Sequence, residues 1–336
     1  MILVTGGTGM VGSHLLYFLT MENTKVRAIH RKNSDIASVK KVFAHYSSDA
    51  ATLFNKIEWT EANITDIPAL TDAFKNITQV YHCAAIINFD PSKYEILKKA
   101  NVEGTANIVN LCLAKKVKKI CYVSSVATFG VTRNEQLITE KTPWNPDEKN
   151  SVYGITKYGA EMEVWRGTQE GLNAIIVNPG VIFGASPTSG GSGALISVGA
   201  TGIPFYPSGA MGVIDVKDVV KAMLSLMKTN IKNEQFILVA ENISYKKFFT
   251  ILAPLFGKKI PTKKLPKKIM FFLSTVDGVL HTLFGMRRKL PKATVRSMFT
   301  TSLYDASKIK NVIGLQFTPI QETLTRVVEE NKKRSN

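Results

Sequence analysis

Tyr153 and Lys157 stand four residues apart, a spacing that puts a phenol and an ammonium on one face of a helix. A free phenol has a pKa of about 10, too high for proton exchange with a substrate oxygen at neutral pH. An ammonium about 4 Å away favours the phenolate by about 4 kcal/mol at an effective dielectric of about 20. Desolvation opposes part of that, leaving an expected working value above about 7. The spacing alone is cheap, since Tyr94/Lys98 and Tyr304/Lys308 also match it. Position decides among the three. Tyr153 follows Ser125, which ends the apolar run Ile120–Val123 at the edge where doubly wound sheets place ligands. Tyr94 precedes that serine and reads as a packing residue, and Tyr304 lies far toward the C-terminus.

The second constellation is Val4-Thr5-Gly6-Gly7-Thr8-Gly9-Met10-Val11-Gly12, directly after an apolar strand and at the start of a helical pattern. Gly6 permits a tight turn, Gly9 lets backbone approach a pyrophosphate, and Gly12 allows the helix to pack closely. The helix start then offers free N–H groups and a positive dipole end to phosphates. Thr5, Gly6, Gly9, Met10, Val11 and Gly12 are therefore the expected dinucleotide contacts. Gly190-Gly191-Ser192-Gly193 lacks that context.

The second strand ends Ala28-Ile29-His30-Arg31-Lys32, with no acid before Asp35. An acid there would bond the ribose 2′-hydroxyl of NAD(H), whereas Arg31 and Lys32 can pair with a 2′-phosphate. NADP(H) is favoured, with NAD(H) as the other reading; two solvated surface cations are the plain alternative. Asn63 and Ile64 follow the third strand, where an adenine edge is read.

The elements that must position these groups are legible as an alternation of short apolar runs and helical patterns. Expected strands are Ile2–Thr5, Lys25–Ile29, Ile57–Glu61, Gln79–Cys83, Lys119–Ser124 and Ala174–Asn178, with a seventh at Gln235–Val239. Helical patterns cover Met10–Thr20, Ile67–Lys75, Tyr94–Ala114 and Val152–Glu170. The fold class is α/β: a Rossmann doubly wound parallel sheet of about seven strands with a small C-terminal substrate lobe. Residues 1–183, joined again by 213–240, form the cofactor domain; 184–212 and 241–336 form the lobe. The stretch Gly184–Gly212, rich in Gly, Pro and Ser, reads as a mobile loop region.

Bulk composition narrows the class. Of 336 residues, 45% are apolar and 21% charged, which excludes a disordered or fibrous chain. Cys83, Cys112 and Cys121 show neither disulfide nor zinc spacing; they read as reduced buried thiols, and no metal site is expected. The chain opens directly on a strand, without a signal peptide, and a cytoplasmic location is expected. Ile269–Phe284 is too short and too polar to span a bilayer.

Together these residues resemble the extended short-chain dehydrogenase/reductases, from the first strand to about Val328. The resemblance rests on Thr5–Gly12, His82-Cys83-Ala84-Ala85, Asn101-Val102-Glu103-Gly104-Thr105, Val123-Ser124-Ser125 through Gly130, Tyr153/Lys157 and Asn178-Pro179-Gly180. It implies that Tyr153 is the general acid/base, that Lys157 lowers its pKa and holds the nicotinamide ribose, and that Ser125 rather than Ser124 polarises the substrate oxygen. Ala84 and Ala85 would line the cofactor path, and the Pro179–Val181 backbone would flank the nicotinamide. Asn101 reads as a structural hydrogen-bonder more than a proton relay. Helices 94–114 and 152–170 match the pair that forms a homodimer interface in this family. Asn178 and Val181 stand where sugar-nucleotide epimerases and dehydratases carry an Arg and an Asn. The stretches Asn178–Gly184 and Val26–Arg31 look more like the dihydroflavonol-reductase and 3β-hydroxysteroid-dehydrogenase branch.

The net charge is +17, from 43 Lys and Arg against 26 acids. Lys258, Lys259, Lys263, Lys264, Lys267 and Lys268 precede the apolar stretch 269–284, and Arg287-Arg288-Lys289 follow it. One reading is a lobe helix with its apolar side on the pocket and solvated cations at its ends. The other is an interfacial segment on an anionic membrane. No nucleic-acid partner is expected, because the lysines lack interleaved stacking aromatics. The overall expectation is an NADP(H)-dependent oxidoreductase interconverting a carbonyl and a secondary alcohol on a mostly apolar small molecule. An NAD-dependent nucleotide-sugar epimerase or dehydratase and a non-catalytic NADP(H)-binding regulator are the alternatives.

Overall fold

The computed structural model describes residues 1–130, 136–186, 191–286 and 288–335. Its strands are β1 (Ile2–Thr5), β2 (Val26–His30), β3 (Ile57–Glu61), β4 (Gln79–His82), β5 (Lys119–Val123), β6 (Ala174–Pro179), β7 (Val181–Phe183), β8 (Phe205–Tyr206), β9 (Ala210–Asp215), β10 (Glu234–Leu238), β11 (Glu241–Ser244) and β12 (Lys263–Lys264). Seven of them pair in parallel in the order β3-β2-β1-β4-β5-β6-β10. The order reverses between β1 and β4, which opens a crevice at the C-terminal ends of those two strands.

Alternate residues of each strand feed opposite faces. Val4, Cys121 and Val177 join one core with Leu16, Phe43 and Met223, while Leu3, Ile120 and Ile176 join the other with Phe74, Ile108 and Val164. Both faces are thus covered by helices, as a parallel sheet of apolar strands requires. Helix Val216–Lys228, which lacks a place among the expected elements, covers the first face.

A second, three-stranded sheet runs β11-β9-β7, and a third core of Phe183, Phe248, Leu252 and Leu324 lies against it. The Gly184–Gly212 stretch departs from the expected irregular loop. It contains helix Gly193–Thr201, β8 and the start of β9, while Pro187 and Gly190 lie outside the described residues. Its glycines disguise a packing face: Ile196 is buried, and a Cβ on Gly199 would collide with the Leu252 side chain. The expected helix Tyr94–Ala114 is interrupted by a π-helical turn at Lys98–Glu103. That turn is where Asn101 sits.

Candidate active site

The glycine loop is a turn that only small residues can make. Gly6 has φ of +68°, and a Cβ there would lie 2.7 Å from the Ala84 amide nitrogen. A Cβ on Gly12 would overlap the Gly6 carbonyl oxygen. Helix Met10–Met21 starts at Gly9, whose lack of a side chain leaves no cap, so its first N–H groups are offered outward. Thr5 is fully buried and fixes the neighbouring strand end: its hydroxyl pairs with His82 Nδ1 at 2.6 Å and accepts from the Ala84 amide at 3.2 Å. A cradle lined by glycine and alanine backbone at the reversal point fits a dinucleotide pyrophosphate.

Arg31 and Lys32 follow β2 and are both exposed. Asn63 is exposed, with its side-chain oxygen accepting from the Thr65 amide at 3.2 Å. Ile64 is buried and packs against Gly104. Ala84 is half-buried and Ala85 exposed, on the segment leaving β4. Asn101 binds that segment from the side: its Oδ1 accepts from the Ile86 amide at 2.8 Å, and its Nδ2 donates to the Ile86 carbonyl at 3.0 Å and to Thr156 Oγ1 at 3.2 Å. Its side chain thus ties the segment leaving β4 to the helix that carries Lys157. Pro179 and Val181 flank the junction of β6 and β7, where Gly180 donates to the Leu238 carbonyl at 3.0 Å.

Helix Val152–Gln169 carries Tyr153 and Lys157, and its start is fixed by Ser151, which accepts from the Gly154 amide at 3.0 Å. Ser125 follows β5 in extended geometry and caps a short 3-10 turn, accepting from the Ala127 amide at 3.2 Å. Its hydroxyl lies near the Tyr153 phenol and favours the ionised form of that group. Ser124 points the other way, into the protein, donating to Glu161 Oε2 at 2.5 Å. Of the two adjacent serines, Ser125 is the one on the Tyr153 side, while Ser124 is committed to Glu161.

Lys157 departs from the expected arrangement. Its ammonium donates to the Tyr122 hydroxyl at 2.6 Å and to the Val123 carbonyl at 2.8 Å, and lies 4.2 Å from the Tyr122 ring centroid. It therefore satisfies itself on β5 rather than at the phenol. Burial pushes the Tyr153 phenol up to about 12, with the nearby Ser125 hydroxyl opposing part of that rise. Burial also pushes Lys157 down to about 7, against the pull of Glu161 and Cys83. The expected lowering of the phenol by its neighbouring ammonium is not met in this geometry, because desolvation outweighs a charge directed elsewhere. In this environment the phenol holds its proton through neutral pH.

Beneath this pair lies a polar cluster that the sequence reading missed. Glu161, one turn beyond Lys157, is 4% exposed, and its Oε2 accepts from Ser124, from Thr128 Oγ1 at 3.0 Å and from Asn178 Nδ2 at 2.9 Å. Burial raises the Glu161 carboxyl above its ordinary range while these three donors pull it back. The i, i+4, i+8 run Tyr153/Lys157/Glu161 was the available signal: one helix face carrying three ionisable side chains. Replacing Glu161 by leucine strips three buried donors of their acceptor and should cost about 3 kcal/mol or more in urea unfolding. Wild-type stability in that variant would show the cluster to be dispensable.

The two discarded tyrosine–lysine pairs take structural places. Tyr304 lies against Gly212 and its backbone pairs with Asn242, while Lys308 bonds Glu234 at 2.5 Å. Tyr94 is half-buried at the start of its helix. An apolar side chain borders the site: the Phe89 ring meets the Tyr153 ring edge-on at 5.5 Å, and Ile87, two residues before it, is 58% exposed.

A sequence model of the NAD dependent epimerase/dehydratase family matches residues 2–239, which include the glycine loop, Ser125, Tyr153 and Lys157. The chain belongs to that family. It is an enzyme of the extended short-chain dehydrogenase/reductase type, with a Rossmann fold that takes a nicotinamide cofactor. Among relatives of known sequence, a putative dihydroflavonol 4-reductase of Synechocystis is 27% identical over 97% of this chain and 92% of its own length. The sterol demethylase protein B of Methylococcus capsulatus is 25% identical over 93% of this chain and 92% of its own. The crystal structure of gox2253 superposes with a TM-score of 0.82 at 28% identity, covering 99% of this chain and 98% of the other. A UDP-glucose 4-epimerase of Thermotoga maritima shares the fold, with a TM-score of 0.78 at 20% identity over 100% and 99% of the two chains.

Proposed function

We propose that this family member is an NADP(H)-dependent reductase/dehydrogenase that interconverts a carbonyl and a secondary alcohol on a mostly apolar small molecule. The observation that carries this reading is the proximity of the Ser125 hydroxyl to the Tyr153 phenol just past the C-terminal end of β5, with Lys157 one turn further on the same helix. Bound nicotinamide supplies or accepts the hydride. Ser125 and Tyr153 together hold the substrate oxygen. Tyr153, kept protonated by burial, gives it a proton as the carbonyl is reduced, and takes one back in the reverse direction. Lys157 is buried within reach of the crevice, and its weak hold on its own proton suits it to exchange partners from Tyr122 to a ribose hydroxyl.

Phe89 beside Tyr153, with exposed Ile87 on the same segment, favours an apolar substrate, as do the names of the dihydroflavonol and sterol relatives. The residues of 184–212 and 241–336 are assigned as the substrate lobe. Exposed Ile96, Ile155 and Met162 on helices 94–114 and 152–170 support a homodimer through that pair. The nucleotide-sugar reading is disfavoured by Val181, which stands where epimerases and dehydratases carry the Asn that holds the diphosphate and has no polar group to do so; Asn178, at the Arg position, is fully buried in the Glu161 cluster.

Arg31 and Lys32, exposed at the end of β2, support NADP(H) over NAD(H). A fluorescence titration should show NADPH bound at least about tenfold tighter than NADH, about 1.4 kcal/mol. Arg31→Ala should remove most of that preference by weakening NADPH alone. Equal affinities in the wild type, or tightly retained NAD, would overturn the NADP(H) assignment and bring sugar nucleotides forward as substrates.

A further inference from the structure

Helix Lys267–Phe284 presents its apolar face to solvent. Ile269, Phe272, Val276, Val279 and Leu283 recur at intervals of three and four, and Phe272, Leu283 and Phe284 are 68%, 70% and 69% exposed. The face turned to the protein is the polar one. Ser274 is fully buried and donates to the Leu290 carbonyl at 2.8 Å, and Asp277 accepts from the Lys289 and Leu290 amides at 3.1 and 2.9 Å. His281 Nδ1 pairs with the Met286 carbonyl at 2.7 Å. The expectation of an apolar side laid on the pocket is thus reversed. A contiguous exposed apolar face of this kind marks an interaction surface.

Charge identifies the occupant. Residues 256–292 contain ten Lys and Arg against the single acid Asp277. Lys263, Lys264, Lys267 and Lys268 are exposed at one end of the helix and Lys289 at the other. A second copy meeting this face would bring like charges together. An anionic lipid surface takes both features at once: acyl chains for the apolar face, headgroups for the flanking lysines. No helix among the described residues is long and apolar enough to cross a membrane, so this one would lie in the interface.

The helix also borders the site. Arg288 stands 3.8 Å from Asp277 and 3.9 Å from Asp90, and Asp90 follows Phe89, whose ring touches Tyr153. We propose that helix Lys267–Phe284 seats the protein flat on an anionic phospholipid bilayer, with the Ile87–Phe89 edge of the active site opening toward the lipid to receive a membrane-dissolved substrate. The delivery of substrate rests on the reductase reading; the docking does not.

Flotation of the whole protein with phosphatidylcholine vesicles, with and without about 30 mol% phosphatidylglycerol, tests the docking. The wild type should float with the anionic vesicles at low salt and bind the neutral ones at least about tenfold more weakly. Phe272→Ser/Leu283→Ser/Phe284→Ser, and separately Lys263→Glu/Lys264→Glu/Lys267→Glu/Lys268→Glu, should each lower binding by about tenfold or more. Unchanged NADPH affinity shows that the variants are folded. Absence of wild-type flotation, or flotation that survives the serine substitutions, overturns the proposal. So does a wild-type dimer in light scattering that becomes a monomer only with those serines, since the face would then belong to a second copy. A protein that docks and binds NADPH yet reduces no lipophilic carbonyl refutes the substrate reading and leaves the docking intact.

Discussion

Replacing Tyr153 by phenylalanine should lower kcat for carbonyl reduction by about 10³-fold while leaving NADPH affinity within about twofold. In the proposed mechanism the phenol delivers the proton to the substrate oxygen, and its ring, which packs on Phe89, is kept in the variant. The pH profile adds a second readout. Because burial pushes the phenol up to about 12, the donor form stays populated through neutral and mildly alkaline pH, so loss of the phenol proton should not limit carbonyl reduction from about pH 6 to 9, and a bend near pH 7 would report Lys157. Alcohol oxidation needs the phenolate and should climb across the same range. Retained turnover in the phenylalanine variant would remove Tyr153 from the chemistry altogether.

Gly12→Ala should weaken NADPH binding by at least about 100-fold, about 2.7 kcal/mol. The added methyl would occupy the space of the Gly6 carbonyl oxygen, and that oxygen cannot retreat cheaply. It accepts from the Gly9 amide at 2.9 Å, and Gly6 itself lies against the Ala84 backbone. Relief must come from displacing the loop or the helix start, the two pieces that present N–H groups to a pyrophosphate. Circular dichroism should still report a folded chain, since the strain is local. NADPH affinity within about threefold of the wild type would show that the loop is not the cradle.

The parts of this protein that were legible in the sequence are those whose cause is local. A strand such as β1 declares itself by four consecutive apolar or buried positions, and the turn at Gly6–Gly12 by backbone needs met within seven residues. Seven expected strands accordingly match the main sheet to within a residue or two at each end. What escaped depends on contacts distant in the chain. Glu161 meets Ser124 across 37 positions, and Lys157 meets Tyr122 across 35. A helix pattern shows that both residues share a face with Tyr153, but not that Lys157 turns to β5 or that a carboxylate lies beneath it. Helix Gly193–Thr201 was hidden by composition, because glycine signals a turn unless one knows that Leu252 needs the space. For the helix at 267–284 the sequence left two directions open, and the structure turns the apolar face outward. Periodicity locates an apolar stripe and leaves open which side of it faces the protein.

Asn101 has a mechanical consequence. Its amide takes the place of a neighbouring strand, engaging both the N–H and the C=O of Ile86 as a ladder partner would, from a side chain held in a π-helical turn. The floor of the crevice is therefore geared to the helix rather than to the sheet. A shift of that turn carries Ile86 and the apolar residues after it, and the same amide passes the motion to Thr156, one residue from Lys157. Should two copies pair through helices 94–114 and 152–170, the gear would sit on the shaft between them, and strain at one crevice would be felt as torque at the other.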